Sequence, residues 1–247
     1  MIKWRLIPTF EASGMLQMAI DNWLFIQHEK GQHPPTLRFY TWSSPTISLG
    51  RLQKQWPLSW YNLSWKKRPI ELVRRSTGGR AVLHQGDLTY GIITPINNRR
   101  TLEIYQQICQ FLIKGWSSLG IDLHYGIAKR GYIHNPSCFN TATVSDLITS
   151  DGSKLIGSAQ RRGKQSILQH GSMVLSTDKT LFKNIFNQAA PWGLGLLEQL
   201  PESCCLETII SILIETAKQC FDIDFISQPL SSKELQDVIQ LSNHLRL

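Results

Sequence analysis

The sequence predicts an α+β domain in which a mixed, mainly antiparallel sheet is flanked by helices. Three observations point there. Short β-branched and aromatic runs, broken by turn residues, fill residues 36–94; stretches with helical spacing precede and follow them; strand-like runs return over 144–174. With 247 residues, 42% hydrophobic and 18% charged, the chain has ample apolar material for a sizeable core and too little charge for disorder. No internal repeat, low-complexity tract or long linker divides it, so residues 1–247 read as one domain whose part from about 179 onward is helical.

Residues 15–28 place Leu16, Ala19, Ile20, Trp23 and Leu24 on one helical face, with Ser13 available as N-cap. The runs 36–42 and 46–49, separated by Ser43-Ser44-Pro45, read as strand, turn and strand. The runs 69–75, 81–83 and 88–94 repeat that pattern around Gly78-Gly79. Residues 101–119 switch to helical spacing, with Ile104, Ile108, Phe111, Leu112 and Leu119 on one side and Gly120 at the stop. Within 144–174, Ser150-Asp151-Gly152-Ser153 reads as a hairpin turn, and a second turn is expected near Gly163. Beyond 179, Leu206, Ile209, Ile210, Leu213, Ala217 and Phe221 form a stripe, and Ser231 with Glu234 makes a capping box for a last helix.

Composition narrows the function classes. Lys and Arg number 26 against 18 Asp and Glu, a net charge of +8. Residues 51–170 carry 17 basic and 6 acidic residues, net +11, which leaves −3 on the remainder. Such a field attracts nucleic acid, a phosphorylated substrate or an acidic protein. No stacking or helix-turn-helix signature accompanies the eight tryptophans, so nucleic acid ranks last. The longest aliphatic run, residues 209–214 with Ser211 inside it, falls far short of the roughly 20 residues that span a bilayer. Residues 1–9 hold Trp, Arg and Pro where a secretory signal needs a continuous apolar segment, so the expectation is a cytoplasmic protein with no membrane partner.

The five cysteines have no zinc-ligand spacing and are odd in number, which disfavours a disulfide scaffold or a zinc module. Cys109 falls among the apolar positions of a helix, and Cys204, Cys205 and Cys220 on the C-terminal helical text, where small buried thiols are usual. Cys138, within Asn-Pro-Ser-Cys-Phe-Asn at 135–140, sits in loop-like sequence, with Lys129 and Arg130 nearby to favour a thiolate.

Two further segments are dense in chemistry. Residues 74–89 read RRSTGGRAVLHQGDLT: Gly78-Gly79 permits a tight bend, and Arg74, Arg75 and Arg80 set cations around it, either as an exposed hairpin or as the lining of a carboxylate, phosphate or thioester pocket. The spacing is not that of a nucleotide P-loop. Residues 154–175 read KLIGSAQRRGKQSILQHGSMVL, where Lys154 opens a strand, a position at which lysine is usually solvated, and Gly157 leaves room for close approach. His84 and His170 read as satisfied structural histidines without a recognisable partner in sequence.

The string Arg74-Arg75-x-Thr77-Gly78-Gly79-Arg80-Ala81-Val82-Leu83-His84 with Asp87-Leu88-Thr89-Tyr90 resembles the signature of the biotin/lipoate protein ligase and octanoyltransferase superfamily. The block Lys154, Gly157-Ser158-Ala159-Gln160-Arg161-Arg162 and Leu168-Gln169-His170-Gly171-Ser172 is similar to its second block, and Tyr40-Thr41-Trp42, Pro45, Ser48-Leu49-Gly50 and Gln53 to its lead-in. Together they cover most of residues 13–175 in the family's order. The resemblance implies the catalytic fold shared with class II aminoacyl-tRNA synthetases and biotin ligases, and acyl transfer to a lysine of a lipoyl domain. It is closest to the cysteine-dependent octanoyltransferases, in which Cys138 would be the nucleophile and Lys154 the acyl-carbonyl contact. Arg74, Arg75, Thr77, Gly78, Gly79, Arg80, Ala81, Val82 and His84 would then bind substrate, with Gly157, Ser158, Ala159, His170 and Gly171. The Gly78-Gly79 bend and Val82 would border the acyl slot.

The donor implied is octanoyl-acyl carrier protein. The acceptor implied is a lipoyl domain such as glycine cleavage H protein or a 2-oxoacid dehydrogenase E2 subunit. No cofactor is needed on that path. The alternative is an ATP-dependent lipoate-protein ligase acting through lipoyl-AMP, which would use ATP and magnesium. Both carriers are typically acidic, so the basic middle of the chain reads as steering, to which Lys129, Arg130 and Arg162 would contribute.

Overall fold

The computed structural model describes residues 2–126, 146–193 and 195–242. Cys138, Lys129 and Arg130 lie outside the described residues. The chain begins with β1 (Ile2–Ala12) and α1 (Gly14–Glu29), whose first turn is capped by the Ser13 hydroxyl accepting from the Leu16 amide. It continues through β2 (Thr36–Trp42), β3 (Thr46–Leu49), the hairpin β4 (Ser64–Trp65) and β5 (Arg68–Pro69), β6 (Glu71–Arg74), β7 (Val82–His84) and β8 (Asp87–Pro95). Then come α2 (Thr101–Ser118), β9 (His124–Tyr125), β10 (Asp146–Ile148), β11 (Lys154–Arg162) and β12 (Ser166–Val174). The last elements are α3 (Lys179–Phe186), α4 (Leu206–Phe221), β13 (Ile223–Ser227) and α5 (Ser232–Ser242).

Among the described residues eight strands form the main sheet in the order β13-β1-β2-β8-β12-β11-β10-β9, with β1 parallel to both its neighbours and the other pairs antiparallel. A small sheet, β6-β3-β7, packs against its middle. Successive residues of a strand point to opposite faces, and both faces are covered. Ile92 and Ile167 join the cluster that holds α2 and α4, including Phe111, Trp116 and Leu213, whereas Ile93 and Leu168 meet Ala19, Ile20 and Trp23 of α1 and Val238 of α5. Burial on both faces explains why β8 shows no alternation of buried and exposed positions and why its polar residues Asp87, Thr89 and Thr94 are buried with the rest. Among the described residues no helix is long and apolar enough to cross a membrane.

The helices, the two hairpins and the capping box follow the sequence expectations within a few residues, but the helical reading of the C-terminal part needs correcting. That part also contributes β13, which pairs in parallel with β1, Ile2 opposite Ile223. Neither strand was marked by a turn or a neighbouring strand, because their partners lie across the whole chain. Two ends of the sequence are also joined by charge: Arg5, buried on β1, makes paired bonds of 2.7 and 3.0 Å to Glu234 of α5.

Candidate active site

A narrow cleft opens where the small sheet meets the centre of the large one. Its floor comes from β11 and β12, through Gly157, Ser158 and Ala159 and through His170, Gly171 and Ser172. The opposite wall is Ser48 of β3, Arg75 after β6, and Val82 and His84 of β7; Met18, Tyr40 and Thr89 close the sides. Gly171 is required by packing, since a Cβ there would lie 2.5 Å from Ser158 Oγ and 2.6 Å from the Tyr90 ring.

Two buried aspartates organise the walls. On one side Asp21 of α1 accepts from Arg38 at 2.9 Å, from the Tyr40 hydroxyl at 2.8 Å and from His170 Nδ1 at 2.7 Å, and His170 Nε2 meets the Thr77 hydroxyl at 2.6 Å. Burial by itself raises the Asp21 carboxyl, but Arg38, His170 and Tyr40 outweigh it and hold it below the usual carboxylate range. On the other side His84 Nδ1 lies 2.8 Å from Asp87, His84 Nε2 lies 2.8 Å from the Ser48 hydroxyl, and the ring stacks on Trp42 with centroids 3.8 Å apart. Burial pushes the His84 imidazole below its ordinary value against the pull of Asp87, which favours the neutral ring. Both histidines are thus satisfied as the sequence suggested, with the partners it did not reveal.

Of the residues singled out in the sequence, Arg75, Val82, His84, Gly157, Ser158, Ala159, His170 and Gly171 line the cleft. Arg75 is not the exposed cation of a hairpin: it is buried and donates to the carbonyls of Ser48, Gly78 and Arg80, so it knits the bend together. Arg74 turns to the carbonyls of Gly50 and Gln53 and lies over Trp56. Thr77 reaches the cleft only through His170, and Ala81 is core. Gly78, Gly79 and Arg80 do not line the cleft. Gly79, at φ +90°, presses on Gly50, where a Cβ would come within 1.8 Å of the Gly79 carbonyl oxygen.

Lys154, which the resemblance sets at the acyl carbonyl, does not line the cleft. It is buried rather than solvated, pairing with Asp146 of the neighbouring strand at 2.9 Å, three residues before the cleft-lining Gly157. The cysteines also differ from one another. Cys109 is buried, and burial pushes its thiol up to about 12, which makes it inert. Cys205 is exposed and Cys204 and Cys220 are half-buried, so the C-terminal thiols are not core residues. None of these four lines the cleft.

The sequence reasoning missed Met18, Asp21, Arg38 and Asp146, and it quoted Ser48, Asp87 and Ser172 as motif residues without giving them a place in the site. A signal existed for some: Gln17 and Asp21 break the buried face of an amphipathic helix at a four-residue interval, and Asp87 stands three residues from His84. Asp146 carried none.

A family model described as the lipoyl protein ligase A/B catalytic domain matches residues 13–192. Octanoyltransferase LipM of Anoxybacillus flavithermus is 36% identical over 197 residues, spanning 74% of this chain and 69% of that protein. Octanoyltransferase LipM of Clostridioides difficile is 32% identical over 263 residues, spanning 98% and 95%. Among solved structures, Ta0514 of T. acidophilum, a lipoate protein ligase homologue with bound lipoic acid, superposes with a TM-score of 0.80 at 21% identity, covering 98% of this chain and 96% of that one. Lipoate-protein ligase A bound with ATP gives 0.80 at 20%, covering 98% and 95%, so the fold is shared. On this evidence the chain belongs to the lipoyl protein ligase A/B catalytic domain family.

Proposed function

We propose that this chain is an octanoyltransferase of protein lipoylation, moving octanoyl from its thioester on acyl carrier protein to a lysine of a lipoyl domain. The observation that carries this is the likeness at 36% and 32% identity to proteins named octanoyltransferase LipM, the second over nearly the whole chain. In this reading the Cys138 thiolate attacks the thioester carbonyl, the carrier thiol leaves, and octanoyl rests on Cys138 as a new thioester at little net cost. The acceptor amine then attacks that carbonyl and the Cys138 thiol is released, which converts thioester to amide. Lys154 would contact the acyl carbonyl and stabilise the oxyanion, with Asp146, 2.9 Å from its ammonium, fixing the side chain's position. Cys109 is buried, and Cys204, Cys205 and Cys220 do not line the cleft, which supports Cys138 by leaving no better-placed thiol among the described residues.

The acceptor class follows the family: a neighbour in fold comes from the structural analysis of an archaeal lipoylation system, a bi-partite lipoate protein ligase and its E2 lipoyl domain. The glycine cleavage H protein is the other candidate of the same chemistry. The transfer needs no cofactor, and it fits a cytoplasmic setting in which both carriers are present. Incubation with octanoyl-acyl carrier protein, without nucleotide, is expected to leave a hydroxylamine-labile octanoyl group on Cys138 and to modify an added lipoyl domain. Cys138→Ala is expected to lose at least about 10³-fold in rate. Full activity of that variant, or turnover only with lipoate, ATP and magnesium, would replace this reading by the ligase.

A further inference from the structure

An alkyl chain needs an apolar slot, yet eight of the thirteen residues around the cleft are polar. Hydrogen-bond directions resolve the conflict. Arginine has donors only, so the Ser48 hydroxyl, 3.1 Å from Arg75 Nη1, accepts there and turns its own proton to His84 Nε2. His84 therefore donates from Nδ1 to Asp87. The same Asp87 oxygen takes the Ser172 hydroxyl at 2.6 Å and the Thr89 hydroxyl at 3.2 Å, the latter oriented by the Trp42 indole N–H at 2.9 Å. Across the cleft Asp21 takes the Tyr40 hydroxyl and His170 Nδ1. On the floor, the Tyr90 hydroxyl accepts from Gln169 at 2.7 Å and shares a bond of 2.8 Å with the Ser158 hydroxyl. Apart from Ser158, the side-chain donors around the cleft point away from its interior.

We propose that Asp87 and Asp21 are positioning residues that determine acyl specificity: by drawing these donors back, they make a polar-lined cleft accept a plain alkyl chain and reject one bearing an acceptor oxygen. The inference rests on the acyl-transfer reading. An oxygen carried into the cleft away from Ser158 loses its water and finds no free donor, whereas a methylene loses nothing. Replacing Asp87 by Asn trades a carboxylate oxygen for a neutral amide oxygen at the point where three donors converge, and that weaker acceptor lets a donor turn toward the cleft.

The test is calorimetric binding of octanoate and of its 5-oxo and 7-oxo analogues to the whole chain, with Asp87→Asn and Asp21→Asn as variants. The unaltered protein is expected to bind octanoate about tenfold or more tightly than either oxo analogue. In Asp87→Asn the octanoate affinity falls and that ratio collapses toward unity, with Asp21→Asn giving the same result if Asp87→Asn does not fold. General loosening of the fold would weaken all three ligands alike and keep the ratio. Equal binding of octanoate and the oxo analogues by the unaltered protein overturns the inference alone, whatever the variants do. An unchanged ratio in a folded variant also overturns it. Failure to bind any of the three removes the acyl reading as well.

Discussion

The cleft walls and the α2–α4 face lie in one domain-sized core and are built oppositely. Where α4 meets α2, burial is apolar: Ile209, Leu213 and Ala217 share a cluster with Phe111, Leu112 and Trp116, and the contact is fixed by volume. Around the cleft, Asp21, Arg38, His84, Asp87 and His170 are buried at 5% exposure or less, and the contact is fixed by donors meeting acceptors. The difference is in how each fails. An apolar contact loses stability in proportion to the atoms removed, whereas a buried polar network loses a partner and leaves another group stranded.

Three substitutions sharpen this contrast, beginning with the most damaging. Asp21→Ala is expected to cost about 3–5 kcal/mol in urea denaturation, because Arg38, fully buried, loses its counter-charge. A loss below about 1 kcal/mol would mean that Arg38 finds other partners and the network is not cooperative. Leu213→Ala, on the apolar side, is expected to cost about 3 kcal/mol and to leave the preference among acyl chains untouched; a changed preference would show that the two regions are coupled.

Glu234→Gln falls between the two types, since Glu234 is partly exposed while its partner Arg5 is buried, and about 2 kcal/mol is expected. Burial by itself would raise the Glu234 carboxyl, but Arg5 and the Ser231 amide draw it down to about 2, below the ordinary 4.5. A carboxyl depressed in the folded state stabilises fully above 4.5 and loses that contribution as pH falls toward 2. The stability difference between the unaltered chain and Glu234→Gln should therefore shrink over that window. A constant difference would show that the pair contributes through packing and not charge.

Much of the architecture is legible in local sequence because its determinants are local. Ser13 caps α1, the 150–153 turn joins β10 to β11, Gly120 takes a φ of +85° after α2, and Ser231 with Glu234 starts α5. The motif residues Val82, His84, Gly157, His170 and Gly171 were legible as a set, because close backbone approach and fixed polar groups restrict which residue types fit. The parallel pairing of β1 with β13 was not, since strand partners separated by more than 200 residues leave no periodic mark on either.

Local sequence was enough to read the helices, the hairpins, the family and the segments that meet at the cleft. What the polar residues there do is set by the packed fold. Asp21 lies 149 positions from His170, and the exposure of Lys154 depends on Asp146 in the next strand. Hydrogen bonding and burial are properties of neighbours in space, and the sheet order, not the sequence order, sets those neighbours.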